Sequence, residues 1–233
     1  MKSLSLALAA AACALQPSLA HAAYTPNAKE QAVLEYAIRE EHDGLLLAER
    51  RLLGRQMDLA RVDAEVVSDM YATGPKKQLP AVIEEAFVLK ARIDAAAAQA
   101  GVLTFAGTSG ATVRVALPAG AAPADAMLLC RKLAWAEGVV TFSQCQDWKP
   151  VAEKTVATFR ADIAGFLQGK PTSKHVAQFV IDYFVVAGDM PAKSGCPDDR
   201  AACDQAIRKT DMTQAGYQAV EKRLRAAGVK VID

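Results

Sequence analysis

Histidine is scarce in this chain, with three residues among 233, and asparagine occurs only at Asn27. Few histidines leave little material for zinc sites or for general acid–base chemistry near neutral pH. His42 lies in the ligand-rich run Glu40-Glu41-His42-Asp43. On a helix, however, its face is shared by residues three and four positions away, and these are Ile38, Arg39, Leu45 and Leu46. That spacing supplies no metal partner, so His42 is expected on a solvated charged face. His175 follows Ser173 and Lys174 and is expected at a helix start. No cofactor and no metal is expected.

Other signatures are missing too. Gly107-Thr108-Ser109-Gly110 lacks the Gly-x-Ser-x-Gly spacing of a nucleophile elbow. Gly165 to Lys170 ends in Pro171 where a phosphate loop needs Ser or Thr. Asp189, Asp198, Asp199 and Asp204 do not follow EF-hand spacing. Charge of one sign is also lacking. The chain has 27 basic and 26 acidic side chains, and Lys2 is the one charge among the first 22 residues. The chain beyond residue 22 is therefore balanced, without the basic footprint of a duplex nucleic-acid binder. No run in that part approaches the roughly 20 apolar residues of a membrane-spanning helix.

What is present begins with an address. Met1-Lys2-Ser3 is a short positive start, Leu4 to Leu15 an uncharged apolar run, and Ala20-His21-Ala22 a small-x-small cleavage step. That is the layout of a secretory signal peptide, expected to be cut after Ala22. Cys13 does not read as a lipid-attachment site, because Ala10-Ala11-Ala12 lacks the usual leucine. An alanine-rich, asparagine-poor composition suggests a bacterium, and so a periplasmic protein. Cys130, Cys145, Cys196 and Cys203 then remain, an even number in an oxidising space, which reads as disulfides. The local pairings are favoured, Cys130 with Cys145 and Cys196 with Cys203.

The pattern predicts an α+β fold in two parts after the signal peptide (residues 1–22). Residues 23–101 are expected to form a helical hairpin. Asn27 and Glu30 resemble a capping box, and Ile38, Leu45, Leu52, Leu59 and Val66 repeat every seven residues as in a coiled coil. The second seam is interrupted by Glu41, Arg55 and Asp69, which suits one neighbour better than a long dimeric rod. Gly44 and Gly54 are candidate bends. A turn at Thr73-Gly74-Pro75 and a helix carrying Val82, Ala86, Leu89, Ile93 and Ala97 would bury the stripe.

Residues 102–233 are expected to form an α+β domain. It opens with a ββαβ unit: a hairpin at 102–105 and 112–117, a helix at 125–137 and a strand at 139–144. Helices from Pro150, over 173–187 and over 213–227 come next, and a strand at 229–232 ends the chain. Residues 188–203 read as a disulfide-clasped loop. Trp135 and Trp148 flank the ββαβ unit as core or groove residues, and with Leu45, Leu52 and Leu59 they are the candidate interaction surface. These features suggest a non-enzymatic periplasmic protein acting through contact with a protein partner, such as an envelope-assembly component. The alternatives are an inhibitor or immunity-type protein that binds a hydrolase, and an enzyme whose carboxylates are assembled by the fold.

Overall fold

Asn27 starts the first helix as its spacing predicts. Its side chain accepts the Glu30 N–H at 3.0 Å, and the Glu30 carboxylate accepts the Asn27 N–H at 2.9 Å. The computed structural model describes residues 24–73, 79–92, 102–106, 112–116, 125–191 and 193–231. The expected signal peptide, the expected turns at Gly74-Pro75 and Gly107–Gly110, and Ile93 and Ala97 lie outside these residues.

Helix α1 (Ala28–Leu46) ends before Leu52, Leu59 and Val66, so the expected heptad stripe does not lie on one long helix. A Schellman turn ends it: the Glu49 N–H bonds to the Gly44 carbonyl at 2.8 Å and the Ala48 N–H to the Leu45 carbonyl at 2.9 Å. Ala48 takes the left-handed conformation, φ 51°, where a glycine is usual and an alanine costs about 1–2 kcal/mol. The reversal is held from three sides. The Trp148 indole N–H donates to the Leu45 carbonyl at 2.7 Å. The buried Glu41 carboxylate accepts the N–H groups of Leu52 and Leu53, the free donors that open α2 (Leu52–Gln56). A side chain at Gly54 would sit 2.1 Å from the Glu49 carbonyl oxygen, and one at Gly44 2.5 Å from Arg51 Cδ. Gly54 lets the chain fold back on itself, because the Glu49 backbone occupies the place of its Cβ. Strand β1 (Ala60–Asp63) and helix α3 (Ala64–Thr73) come next, the Asp63 carboxylate accepting the Glu65 N–H.

Over its described residues, 79–92, the return arm of the expected hairpin is not a helix either. It holds strands β2 (Val82–Ile83) and β3 (Phe87–Arg92). Strands β4 (Val102–Ala106) and β5 (Thr112–Ala116) pair antiparallel, as the alternation at 102–117 predicts. The expected helix at 125–137 is instead two strands, β6 (Asp125–Cys130) and β7 (Lys132–Ala136), before β8 (Val139–Ser143) and the short β9 (Gln146–Asp147). One sheet runs β1-β3-β6-β9 and the other β2-β7-β8-β5-β4. Only Arg131 separates β6 from β7, so one bent run of chain belongs to both sheets.

Two of the segments that depart from expectation, β3 and β6, are buried on both faces. In β3, Val88 enters the helical core while Phe87 and Leu89 enter the core between the sheets and α3. In β6, Leu129 points to the helices and Leu128 and Cys130 to the second core. A strand packed on both sides loses apolar–polar alternation, so a run such as Ala-Met-Leu-Leu-Cys cannot be told from a buried helix by period.

The helical layer is α1 with α4 (Trp148–Leu167), α5 (Lys174–Asp189) and α7 (Gln214–Ala226). Ser173 caps α5, fixing residues 174–189 as helix although the segment is rich in β-branched and aromatic side chains. Part of the expected loop is helical: α6 (Arg200–Arg208) opens on an Asp199 cap. Val229 and Val231 are buried in the helical core, but residues 229–231 enter no sheet. The chain turns at Gly228, φ 84°, and the Val229 N–H is taken by the Leu224 carbonyl.

Both local disulfides are present, Cys130–Cys145 across 15 residues and Cys196–Cys203 across 7. Closing loops of these lengths stabilises by about 2–3 kcal/mol each on the chain-entropy account. Replacing Cys196 and Cys203 together by serine is expected to cost about 2 kcal/mol in urea denaturation. No loss would mean that the ion pairs of α6 hold the loop without the clasp.

Candidate functional site

The five residues of the expected interaction surface do not share one face. Leu45 and Leu59 are buried in the helical core, and Trp148 lies there too, pinned by its bond to Leu45. Trp135 is half-buried against the second core, its ring 5.2 Å from that of Tyr71. Leu52 alone joins a surface depression. The reversal after α1 sets α2 beside the first turns of α5, and an open groove lies on each side of the Leu52-Leu53 step.

One groove, about 580 Å³, has Leu53, Val151, Phe159 and Val176 among its lining. Its rim carries Gln56, Lys154, Thr158 and Asp162, all exposed. The second, about 520 Å³, takes Leu52, Phe179 and Tyr183 together with Glu41, Arg51, Arg55, His175, Gln178 and Asp182. It is the most functional-group-rich depression described, and neither Arg51 nor Tyr183 stands out in the sequence. Only the charge cluster around residues 49–51 hints at it.

Three of its six ionisable groups, Glu41, Arg51 and Asp182, already have partners. Glu41 caps α2. Arg51 bonds to Glu49 at 2.9 Å and to Glu40 at 3.0 Å, and both carboxylates hold its guanidinium more firmly protonated. Arg200 on α6 also pairs with Glu40, at 2.6 Å, and with Asp43, at 3.1 Å, so this network ties the disulfide loop to α1. Asp182 accepts from the Gln178 amide at 2.7 Å and from the Tyr217 hydroxyl at 2.9 Å. His42, expected on a charged face, lies 3.6 Å from Asp43 and is partly exposed, while His175 is exposed at the start of α5.

Burial pushes the Tyr183 hydroxyl up to about 12, reinforced by the nearby Glu41. Tyr217 and Tyr24 are pushed to about 12 as well, first by burial and then by donating to Asp182 and Glu30. All three phenols are thus held neutral by the fold, against an ordinary value of 10.0. Their contribution is complete below pH 10 and is lost as pH rises towards 12, because the unfolded chain ionises first. Stability should therefore fall between about pH 10 and 12. Tyr217→Phe, followed by urea denaturation across that range, should flatten the decline. An unchanged slope would remove Tyr217 from the account.

Among the described residues no group of three or more His, Cys, Asp or Glu side chains is arranged to hold a metal ion, and no helix is long and apolar enough to cross a membrane. Comparison with protein-family models, with curated proteins and with solved structures returned no match.

Proposed function

We propose that this is an exported protein of the bacterial periplasm that works by contact with a protein partner, as a component of an envelope complex, and not by catalysis. The observation that carries the reading is the pair of open grooves flanking Leu52-Leu53. Each combines an apolar floor with an exposed polar rim, the make-up of a surface that receives a peptide segment or a complementary side chain. Two disulfides support an oxidising compartment. The alternative of an inhibitor that plugs a hydrolase would use the same surface.

A carboxylate enzyme is the second reading, because Glu41 and Asp182 line one groove. Contact is the better-supported use: Glu41 spends its oxygens on the α2 backbone, and Asp182 accepts from two side chains. Capture from periplasmic extract with the intact protein should yield a stoichiometric partner. The rim variants Arg55→Glu and Thr158→Arg should fold normally and lose it by at least about tenfold, the order of a 1.4 kcal/mol contact. A partner retained equally by both variants places the interface elsewhere. Failure to capture any partner from the native extract counts against the contact reading.

A further inference from the structure

Both disulfides join cysteines that are neighbours in chain order, and each pair is brought together by structure that forms locally. Cys130 and Cys145 extend one antiparallel ladder. Strands β7 and β8 pair Lys132 with Ser143, the Arg131 N–H bonds to the Ser143 carbonyl, and β9 returns to β6 with Gln146 opposite Leu129. A hairpin turning at Glu137 and Gly138, φ 49° and 79°, therefore aligns the two sulfurs with no help from the helical layer. Cys196 and Cys203 span the turn into α6. There the Asp199 N–H bonds to the Gly195 carbonyl and the Cys203 N–H to the Asp199 carbonyl.

Loop length favours the same pairs. The nearest competing pair, Cys145 with Cys196, would close a loop of about 51 residues, against 15 and 7 for the observed bonds. With closure probability falling as the three-halves power of length, the observed pairs are favoured about 6-fold and about 20-fold before any hairpin or helix forms. Cys130 and Cys203 are fully buried in the folded protein, so an enzyme reaches them most readily before the cores close.

We infer that the chain is a direct substrate of a thiol oxidase carrying a reactive disulfide, acting as the chain emerges, and that it does not require a disulfide isomerase. The inference rests on the exported reading for where it happens, but on the pairings alone for the isomerase. Each bond forms in two exchanges. A cysteine thiolate attacks the enzyme disulfide, giving a mixed disulfide and releasing one enzyme thiolate. The second cysteine thiolate then attacks the substrate sulfur of that mixed disulfide. The chain loses two electrons and gains one S–S bond, and the enzyme disulfide is reduced to a dithiol.

The test has two arms. In the first, the reduced full chain is refolded with a catalytic thiol oxidase alone and mapped by non-reducing peptide analysis. Both local pairs are expected at the yield reached with isomerase added, within about 2-fold. Non-native pairs that persist until isomerase is added would overturn the inference whatever the compartment. In the second, the chain with its leader is expressed in bacteria lacking either enzyme, and thiols are trapped in intact cells. Loss of the oxidase should leave free thiols, while loss of the isomerase should change nothing. Native pairs at full yield without any oxidase would overturn the role of that enzyme. An uncut chain with free thiols in unmodified bacteria would defeat the exported reading and the oxidase step in cells, while the refolding arm still decides the isomerase.

Discussion

Leu45→Ala is expected to cost about 2–5 kcal/mol, and Leu59→Ala about the same, because each leaves a cavity in closed core. Leu45 and Leu59 are each 1% exposed, among the largest fully buried side chains of the protein. Leu52 shares their heptad position but is half-buried at the edge of a groove, so Leu52→Ala should cost only about 1–2 kcal/mol. Urea denaturation of the three variants decides between two pictures. Equal losses would restore a continuous stripe against one neighbour. A graded series is the outcome if three separate elements deliver these leucines to one core: the end of α1, the start of α2 and the approach to β1.

That coincidence explains why the chain reads as one long helix. The seven-residue spacing of Leu45, Leu52 and Leu59 survives the chain reversal because each element points its leucine at the same core. The usual sign of a helix end is absent, since the left-handed position is Ala48 and not glycine. The legible trace lies elsewhere. Glu41, an interruption of the second seam in the sequence, supplies the acceptor for α2, and Gly54 sits where a Cβ would collide with the Glu49 carbonyl. A segment with one buried face can read correctly from its spacing, as the β5 alternation Thr112-Val113-Arg114-Val115 shows. Segments buried on both faces, β3 and β6, do not. The grooves beside α2 are illegible for a related reason. They exist only because the chain reverses after Leu46, which brings residues 41, 51, 55 and 183 together from three elements.

Glu30 carries the second large effect. It is 1% exposed, and its carboxylate accepts the Tyr24 hydroxyl at 3.0 Å, the Asn27 N–H at 2.9 Å and the Arg223 guanidinium at 2.8 Å. These bonds fasten the start of the described chain to α7. The Tyr24 N–H adds a bond to the Leu167 carbonyl at 2.9 Å, and its ring stacks 5.6 Å from Phe184. Glu30→Ala removes one acceptor from three donors at once, and breaking a buried ion pair from one side costs about 3–5 kcal/mol. Arg223 is itself partly exposed and can turn to water, which sets the expected loss near the lower end, about 3 kcal/mol. Glu35→Ala is the control. Its two-pronged pair with Arg160 is equally short, at 2.7 Å, but lies at the surface, where such pairs contribute less than about 1 kcal/mol. The two variants, compared in the same urea titration, separate burial from bond count. Equal losses would mean that Glu30 is an ordinary surface pair in solution. If the cut falls after Ala22, as the sequence predicts, Tyr24 is the second residue of the mature chain, and deleting residues 23–26 should cost as much stability as Glu30→Ala.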